Sequence, residues 1–401
     1  MKKIIPLSAL FLAILLLAGC SLPEDLFQLV SPDSYTVESK HPSSSQQERQ
    51  DDFSALDYKE LCGAIREIVS QHSTEAHVIV PADYTGNISE DAKTAVYDVW
   101  KSDPLSAYAV DYISAECSQL LNYYEVSVNV NYRRSEKEID SIVVTPFTYD
   151  VGREIRSALD GHLPGLTVHL TNYRPETDWQ QMISQYCSDN PESIMEEPEM
   201  KLDVFPAEGS VRILEFTFSY SHSSEELNSM KSSVSGILNS AAGYVRYRSE
   251  SSAKADLLYS YFRERFDYVA KKSDTPMYSF LCEGITDAKT VAQTFHILLN
   301  EVEIPCNLVS GYLNGEPYWW IILTIDGVSH HADPFRDMMD GNHDLTLLYD
   351  EDMSGFSWDT GRYPSCPAPL QLIEKNVGEE EPGQAETDDP PSTEDPEAQP
   401  E

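Results

Sequence analysis

Cys282, His330, His331, Asp333 and His343 are the side chains of this chain best suited to bond-making chemistry. A cysteine within hydrogen-bond reach of a histidine is the working unit of acyl transfer, because the imidazole takes the thiol proton and the thiolate attacks. Cys282 would be that thiol, with His330 or His331 as its base. The two histidines are adjacent, and neighbouring side chains on a strand point to opposite faces, so only one can serve. A metal set would have to combine one of them with Asp333 and His343, and a metal needs three or four convergent ligands. No metal and no cofactor is expected. Trp319-Trp320 reads as core packing for one indole and a surface or interface role for the other.

These residues sit in a segment with a clear order of elements. An amphipathic helix runs from Ala253 to Tyr268, burying Leu257, Leu258, Tyr261, Phe262 and Phe266. Asp287 is placed to cap a second helix. Its apolar stripe is Ala288, Val291, Ala292, Phe295, Leu298, Leu299 and Val302, and Ile304-Pro305 ends it. Strands follow at Leu308–Leu313, Tyr318–Ile325 and His330–Pro334, with Asp326-Gly327 as a tight hairpin turn.

The run Tyr278-Ser-Phe-Leu-Cys-Glu-Gly-Ile-Thr-Asp-Ala288, the helix ending in Ile304-Pro305 and the pair Asp333-Pro334 resemble the transglutaminase-like superfamily over about 250–368. That family shares its catalytic plan with papain-like proteases. The closing segment, Asp350-Glu-Asp-Met353, Ser357-Trp-Asp359 and Tyr363-Pro-Ser-Cys366, also resembles bacterial lipoproteins of this group. The resemblance implies a helix packed on an antiparallel sheet and a Cys–His–Asp triad. Aligning by Tyr278, Leu281, Glu283-Gly284 and Ile304-Pro305 puts the nucleophile position at Ala288, six residues beyond Cys282. The histidine position falls on Tyr318, Trp320 on the family's tryptophan, and the Asp position on Asp333. Ala288 has no nucleophile, and a tyrosine with a pKa of about 10 is a poor proton shuttle at neutral pH. Loss of a triad nucleophile costs on the order of 10⁶ in kcat. No catalytic residue is therefore expected. The old cleft, lined by Ala288, Tyr318, Trp320 and Asp333, is the expected ligand site.

Upstream, Val126, Val128, Val130 and Tyr132 alternate with polar residues, and eighty-eight residues on Leu214, Phe216, Phe218 and Tyr220 do the same. Each strand runs into a Ser-x-x-Glu capping box, at Ser135–Glu138 and Ser223–Glu226. The strand at Val78–Val80 matches Leu166–Leu170, and helices ending near Pro104 and Pro191 match each other. The pattern predicts tandem α/β modules at 55–145 and 146–240, each helix–strand–helix–strand, ahead of the C-terminal domain. The fold class is α+β.

Met1-Lys2-Lys3 and the apolar run Ile4–Leu17 form a signal peptide, 1–19, and Leu17-Ala-Gly-Cys20 resembles the bacterial lipobox. The resemblance implies a lipid on Cys20 and attachment to the extracytoplasmic face of the membrane, with 20–52 as a tether. Outside the cytoplasm, Cys62, Cys117, Cys187, Cys282, Cys306 and Cys366 can form disulfides, with Cys306 or Cys366 as partners for Cys282, or remain buried thiols.

The formal net charge is −39, from 28 basic and 67 acidic residues. That balance argues against nucleic acid, whose binding requires Lys and Arg to neutralise phosphates. Ten acids lie in Glu379–Glu401, within a tail (376–401) whose composition predicts disorder. The expected function is a lipid-anchored surface protein with a degenerate transglutaminase-like domain that binds a peptide, protein or cell-wall ligand, or acts as a scaffold. The alternative is an active cysteine peptidase or acyltransferase using Cys282.

Overall fold

A computed structural model describes residues 52–369. The signal segment 1–19, Cys20, the tether up to Asp51 and the tail 376–401 lie outside the described residues. Among the described residues no helix is long and apolar enough to cross a membrane.

The first module comprises β1 (Asp52–Ser54), α1 (Tyr58–Ser70), β2 (Glu75–Pro81), α2 (Ile88–Ser102), α3 (Pro104–Ala109), β3 (Val110–Gln119), β4 (Tyr123–Tyr132) and α4 (Glu136–Asp140). The second comprises β5 (Val143–Thr145), α5 (Thr148–Asp160), β6 (Gly165–Leu170), α6 (Trp179–Asp189), β7 (Glu199–Phe205), β8 (Arg212–Ser219) and α7 (Ser224–Val245). The sheets have the same plan, β1-β2-β4-β3 and β5-β6-β8-β7, with a parallel first pair and antiparallel pairs thereafter. Two tandem α/β modules thus precede the C-terminal domain.

Each module has four strands where periodicity predicts two. β1 and β5 are three residues long, too short to show a period. β3 is an edge strand interrupted by a bulge between Val110 and Tyr112, and β7 is also an edge, so neither needs a fully apolar face. The central strands behave as expected. Val126, Val128 and Val130 of β4 and Leu214, Phe216 and Phe218 of β8 are buried under the helices. Both capping boxes form, Ser135 with Glu138 and Ser223 with Glu226.

The modules pack through α3. Tyr108 meets Phe205 edge-on at 5.7 Å, and Arg134 lies over Tyr108 while bonding Glu215 at 2.7 Å. Ile213 of the second module belongs to the first module's core.

The C-terminal domain contains α8 (Ser251–Arg263), the two-residue strands β9 (Val269–Ala270) and β10 (Ile285–Thr286), and α9 (Ala288–Glu301). β11 (Cys306–Leu313), β12 (Glu316–Ile325), β13 (Val328–Ala332), α10 (Pro334–Asp340) and β14 (Phe356–Ser357) complete it. The antiparallel sheet runs β13-β12-β11-β14. The third predicted strand ends at Ala332 and not at Pro334, because Asp333 caps α10 and Pro334 opens it. Asp326 and Gly327 turn β12 into β13 with φ of 50° and 84°, the left-handed pair such a hairpin needs.

Val291, Ala292, Phe295, Leu298 and Leu299 of α9 pack with Ile321 and Leu323 of β12, and α7 and α8 complete this core. The opposite sheet face carries a smaller core of Val309, Trp320, Ile322, Met353 and Cys366. β12 is therefore covered on both faces. All six described cysteines are free, so of the two readings open in the sequence, disulfides of Cys282 with Cys306 or Cys366 or free thiols, the structure has the free thiols. Cys306 and Cys366 are instead buried apolar thiols.

Candidate functional site

Helix α9 begins where the register places it. Asp287 is the N-cap, accepting from the Thr290 amide at 2.9 Å, and Ala288 is the first helical residue. The helix N-terminus would favour a thiolate, but Ala288 offers only a methyl group. It is 9% exposed and lies in the wall of a cleft of about 890 Å³. Lys289, Thr290 and Gln293 continue that wall along the helix, and Glu316, Pro317 and Trp319 of β12 face it. Lys289 Nζ stands 5.7 Å from the Trp319 ring centre, a cation–π contact that ties the helix terminus to the strand.

The far wall comes from the second module: Ser184, Cys187 and Ser188 of α6, then Pro191, Ile194, Met195 and Glu197. Gln293 Nε2 donates to the Ser188 carbonyl at 2.6 Å and joins the two sides. Cys187 is the thiol in this cleft, and burial pushes it up to about 12, far from thiolate formation at neutral pH.

Tyr318, Trp320 and Asp333 do not line the cleft. The expectation that they would is corrected by strand parity. Trp319 shares a face with Ile321 and Leu323 and packs with α9, whereas Tyr318, Trp320 and Ile322 point into the other core. Tyr318 is therefore turned away from Ala288, and the two do not form the nucleophile–base pairing of a triad. Trp320 is wholly buried and is a core residue. One indole packs inside and the other lines the cleft, as expected for the pair, with Trp319 in the exposed role.

Asp333 has two structural tasks. Its Oδ1 accepts from the Arg336 amide at 3.0 Å, capping α10, and its Oδ2 accepts from the Tyr318 hydroxyl at 2.9 Å. Burial raises its pKa to about 6, against the lowering effect of those bonds. Burial likewise raises Tyr318 well above its ordinary value, so it is a neutral donor at any physiological pH.

Cys282 lies in the single π turn Ser279–Glu283 that approaches α9. Gly284 ends that turn at φ 72°, where a Cβ would come within 2.8 Å of the Phe266 side chain. Cys282 is half-buried, packs against the main core and does not line the cleft. Burial raises its pKa, with Arg265 opposing the shift.

Neither histidine is joined to Cys282. His331 is fully buried on the far sheet face, accepting at Nδ1 from Trp320 Nε1 at 2.9 Å and meeting Asp350 Oδ1 through Nε2 at 2.9 Å. His330 lies against Tyr349, its ring centre 5.2 Å away.

The metal set weighed from the sequence does not converge. Asp333 is held by Tyr318 and Arg336, and His343 Nδ1 lies 3.3 Å from Arg263. His331, Asp350 and Cys366 do place three donor atoms within 4.8 Å of one another. Their chemistry does not suit a cation. Trp320 Nε1 can only donate, so His331 Nδ1 holds the lone pair and Nε2 carries the proton that a metal would need removed. The cluster is a hydrogen-bonded strap, in which the Cys366 amide also donates to Asp350 Oδ2 at 2.9 Å.

Parity was the signal available in sequence for Trp319, but β12 is apolar on both faces and hydrophobicity does not distinguish them. The second module's share of the cleft is tertiary and has no local signal.

With this geometry in place, the comparisons with known proteins fall as follows. The Transglutaminase-like superfamily profile matches residues 239–335, so the chain carries a transglutaminase-like domain there. No curated protein matches the chain. Among solved structures it is similar to one called a TGase, at 12% identity, covering 59% of this chain and 70% of that one, with a TM-score of 0.24. It is also similar to a protein of Parabacteroides distasonis provisionally called a protease, at 8% identity, covering 64% of this chain and 39% of that one, with a TM-score of 0.20.

Proposed function

We propose that this is a lipid-anchored extracytoplasmic protein whose transglutaminase-like domain holds a peptide or cell-wall segment without cleaving it. The observation that carries the reading is the residue at the helix terminus. Ala288 stands in the cleft wall at the helix terminus where the resemblance puts a nucleophile, and Tyr318, which the resemblance puts opposite it, points to the other sheet face. The cleft itself is retained. Its walls offer an indole, two lysines (Lys272 and Lys289), two glutamates (Glu197 and Glu316) and several apolar side chains. That mixture suits an extended ligand with both apolar and charged groups, and a few polar groups in a largely apolar pocket fix orientation. The membrane anchor rests on the Leu-Ala-Gly-Cys20 ending alone.

The test is enrichment from peptide libraries and soluble peptidoglycan fragments, compared with Trp319→Ala. Saturable binding that weakens at least about tenfold in the variant supports the reading, the scale expected for loss of one aromatic anchor. Binding that is absent, or that is indifferent to Trp319, overturns it. The alternative of a Cys282 enzyme predicts selective labelling of Cys282 by a thiol-directed acyl warhead and turnover lost in Cys282→Ser.

A further inference from the structure

The cleft wall supplied by Pro191–Glu197 is fastened at two adjacent residues. The Met195 amide donates to His162 Nε2 at 3.2 Å. A backbone amide can only donate, so Nε2 must hold the lone pair and Nδ1 the proton. The other bond requires the same tautomer. His162 Nδ1 meets Asn228 Oδ1 at 3.1 Å, and the Asn228 amide is oriented by its Nδ2 donating to the Gly161 carbonyl at 3.4 Å. The ring is completely buried. The neighbouring Glu196 carboxylate accepts from the amides of Ser221 and His222 and lies 2.8 Å from His222 Nδ1. Ser221 and His222 lead into the N-cap of α7, and Asn228 lies on α7. The wall is thus tied to the start of α7 by one neutral imidazole and one carboxylate.

We propose that His162 is an acid-sensitive clamp on the cleft: a second proton on its ring displaces the Met195 amide and frees the Pro191–Glu197 wall. The inference deepens the binding reading above and rests on it for its functional meaning. The groups around the ring are Asn228 and Lys231 from α7, Asp160 from the end of α5, Glu196 from the wall, and Tyr220, whose ring lies edge-on at 6.0 Å. Lys231 Nζ donates to the Asp160 carbonyl at 2.9 Å. Burial holds the His162 pKa below its ordinary value, and Lys231 adds to this, against Asn228, Asp160 and Glu196.

The sign follows. An opened, solvated ring titrates near 6.5, so the closed wall is fully favoured above that pH and loses its advantage as pH falls through the lowered value. Burial works to raise Glu196, but the bonds from Ser221 and His222 prevail and hold it below the usual carboxylate value. The Ser221 and His222 backbone amides that hold Glu196 do not titrate, so acid loosens the Met195 end and not the Glu196 end.

Hydrogen exchange by mass spectrometry on the full chain, corrected for intrinsic rates, tests this with no ligand present. Between about pH 7.5 and pH 5, amides of 192–197 should exchange at least about tenfold faster while those of β8 stay constant. His162→Gln, which can accept and donate but takes no proton in this range, should abolish the step. An exchange rate indifferent to pH, or a step that survives in His162→Gln, overturns the clamp. If that variant does not fold, nitrogen NMR of labelled histidine in the wild type decides. The Nδ1–H form at pH 7.5 supports the clamp and the Nε2–H form overturns it. Because no ligand enters, the clamp can fail while the cleft still binds, and the reverse.

Discussion

At the scale of single residues, Asp333 does structural work. Asp333 is buried, caps α10 and receives the Tyr318 hydroxyl. Its folded-state pKa of about 6 lies above the unfolded value near 3.9, so it favours the folded state most below pH 3.9 and loses that contribution as pH rises through about 6. Asp333→Asn removes the titration; its Oδ1 can keep the α10 cap and its Nδ2 can donate to the Tyr318 hydroxyl oxygen, reversing that bond. Its stability relative to wild type, from paired urea melts across pH 4 to 8, should rise with pH by roughly 2–3 kcal/mol. A flat difference would mean that the carboxylate is not held neutral by burial. Ala288→Cys tests the start of α9. The new thiol should alkylate readily at the helix terminus, yet no amide substrate should be hydrolysed, because Tyr318 faces the other side of the sheet. Hydrolysis by that variant would show that a base reaches the cleft.

At the scale of elements, the sheet of the C-terminal domain is held from both sides. Helix α9 covers one face, and the chain from Tyr349 to Cys366 covers the other through the series Trp320–His331–Asp350–Cys366. Gly311 lies directly under the Trp320 ring, where a Cβ would sit 2.8 Å from it. Trp320→Phe leaves a void and an unpartnered His331 Nδ1, and should destabilise the protein by about 2–4 kcal/mol in denaturant unfolding. A loss under about 0.5 kcal/mol would show that the strap is not held by this bond.

Much of this level was legible in the sequence. The stripe from Ala288 to Val302, the Asp287 cap, the Asp326-Gly327 turn and both Ser-x-x-Glu boxes are local signals, and each forms. The short strands β1 and β5 and the edge strands β3 and β7 have no such signature. The place of Ala288 at the start of α9 was legible, because it depends on helix register. The facing of Tyr318 and Trp320 was not, because a strand buried on both faces hides its parity, and a single-residue error exchanges one face for the other.

At the scale of the whole molecule, the cleft belongs to no single module. The second module closes over the terminus of α9, with Met195 in the C-terminal domain's core and Gln293 bonded to Ser188. The acidity of the chain, −39 overall, is of little help in identifying the ligand, since the cleft carries both Lys272 and Lys289 and Glu197 and Glu316. What the assembly offers is a walled groove at a helix terminus whose first residue is Ala288. The central claim is that this groove binds and does not convert. The direct measurement is to take a ligand selected on the protein, titrate it calorimetrically into wild type and Trp319→Ala, and recover it for mass spectrometry. A single saturable isotherm, lost in the variant, with the ligand recovered intact, is the predicted result. A ligand returned cleaved or transferred, or an isotherm unchanged by Trp319→Ala, would contradict the account.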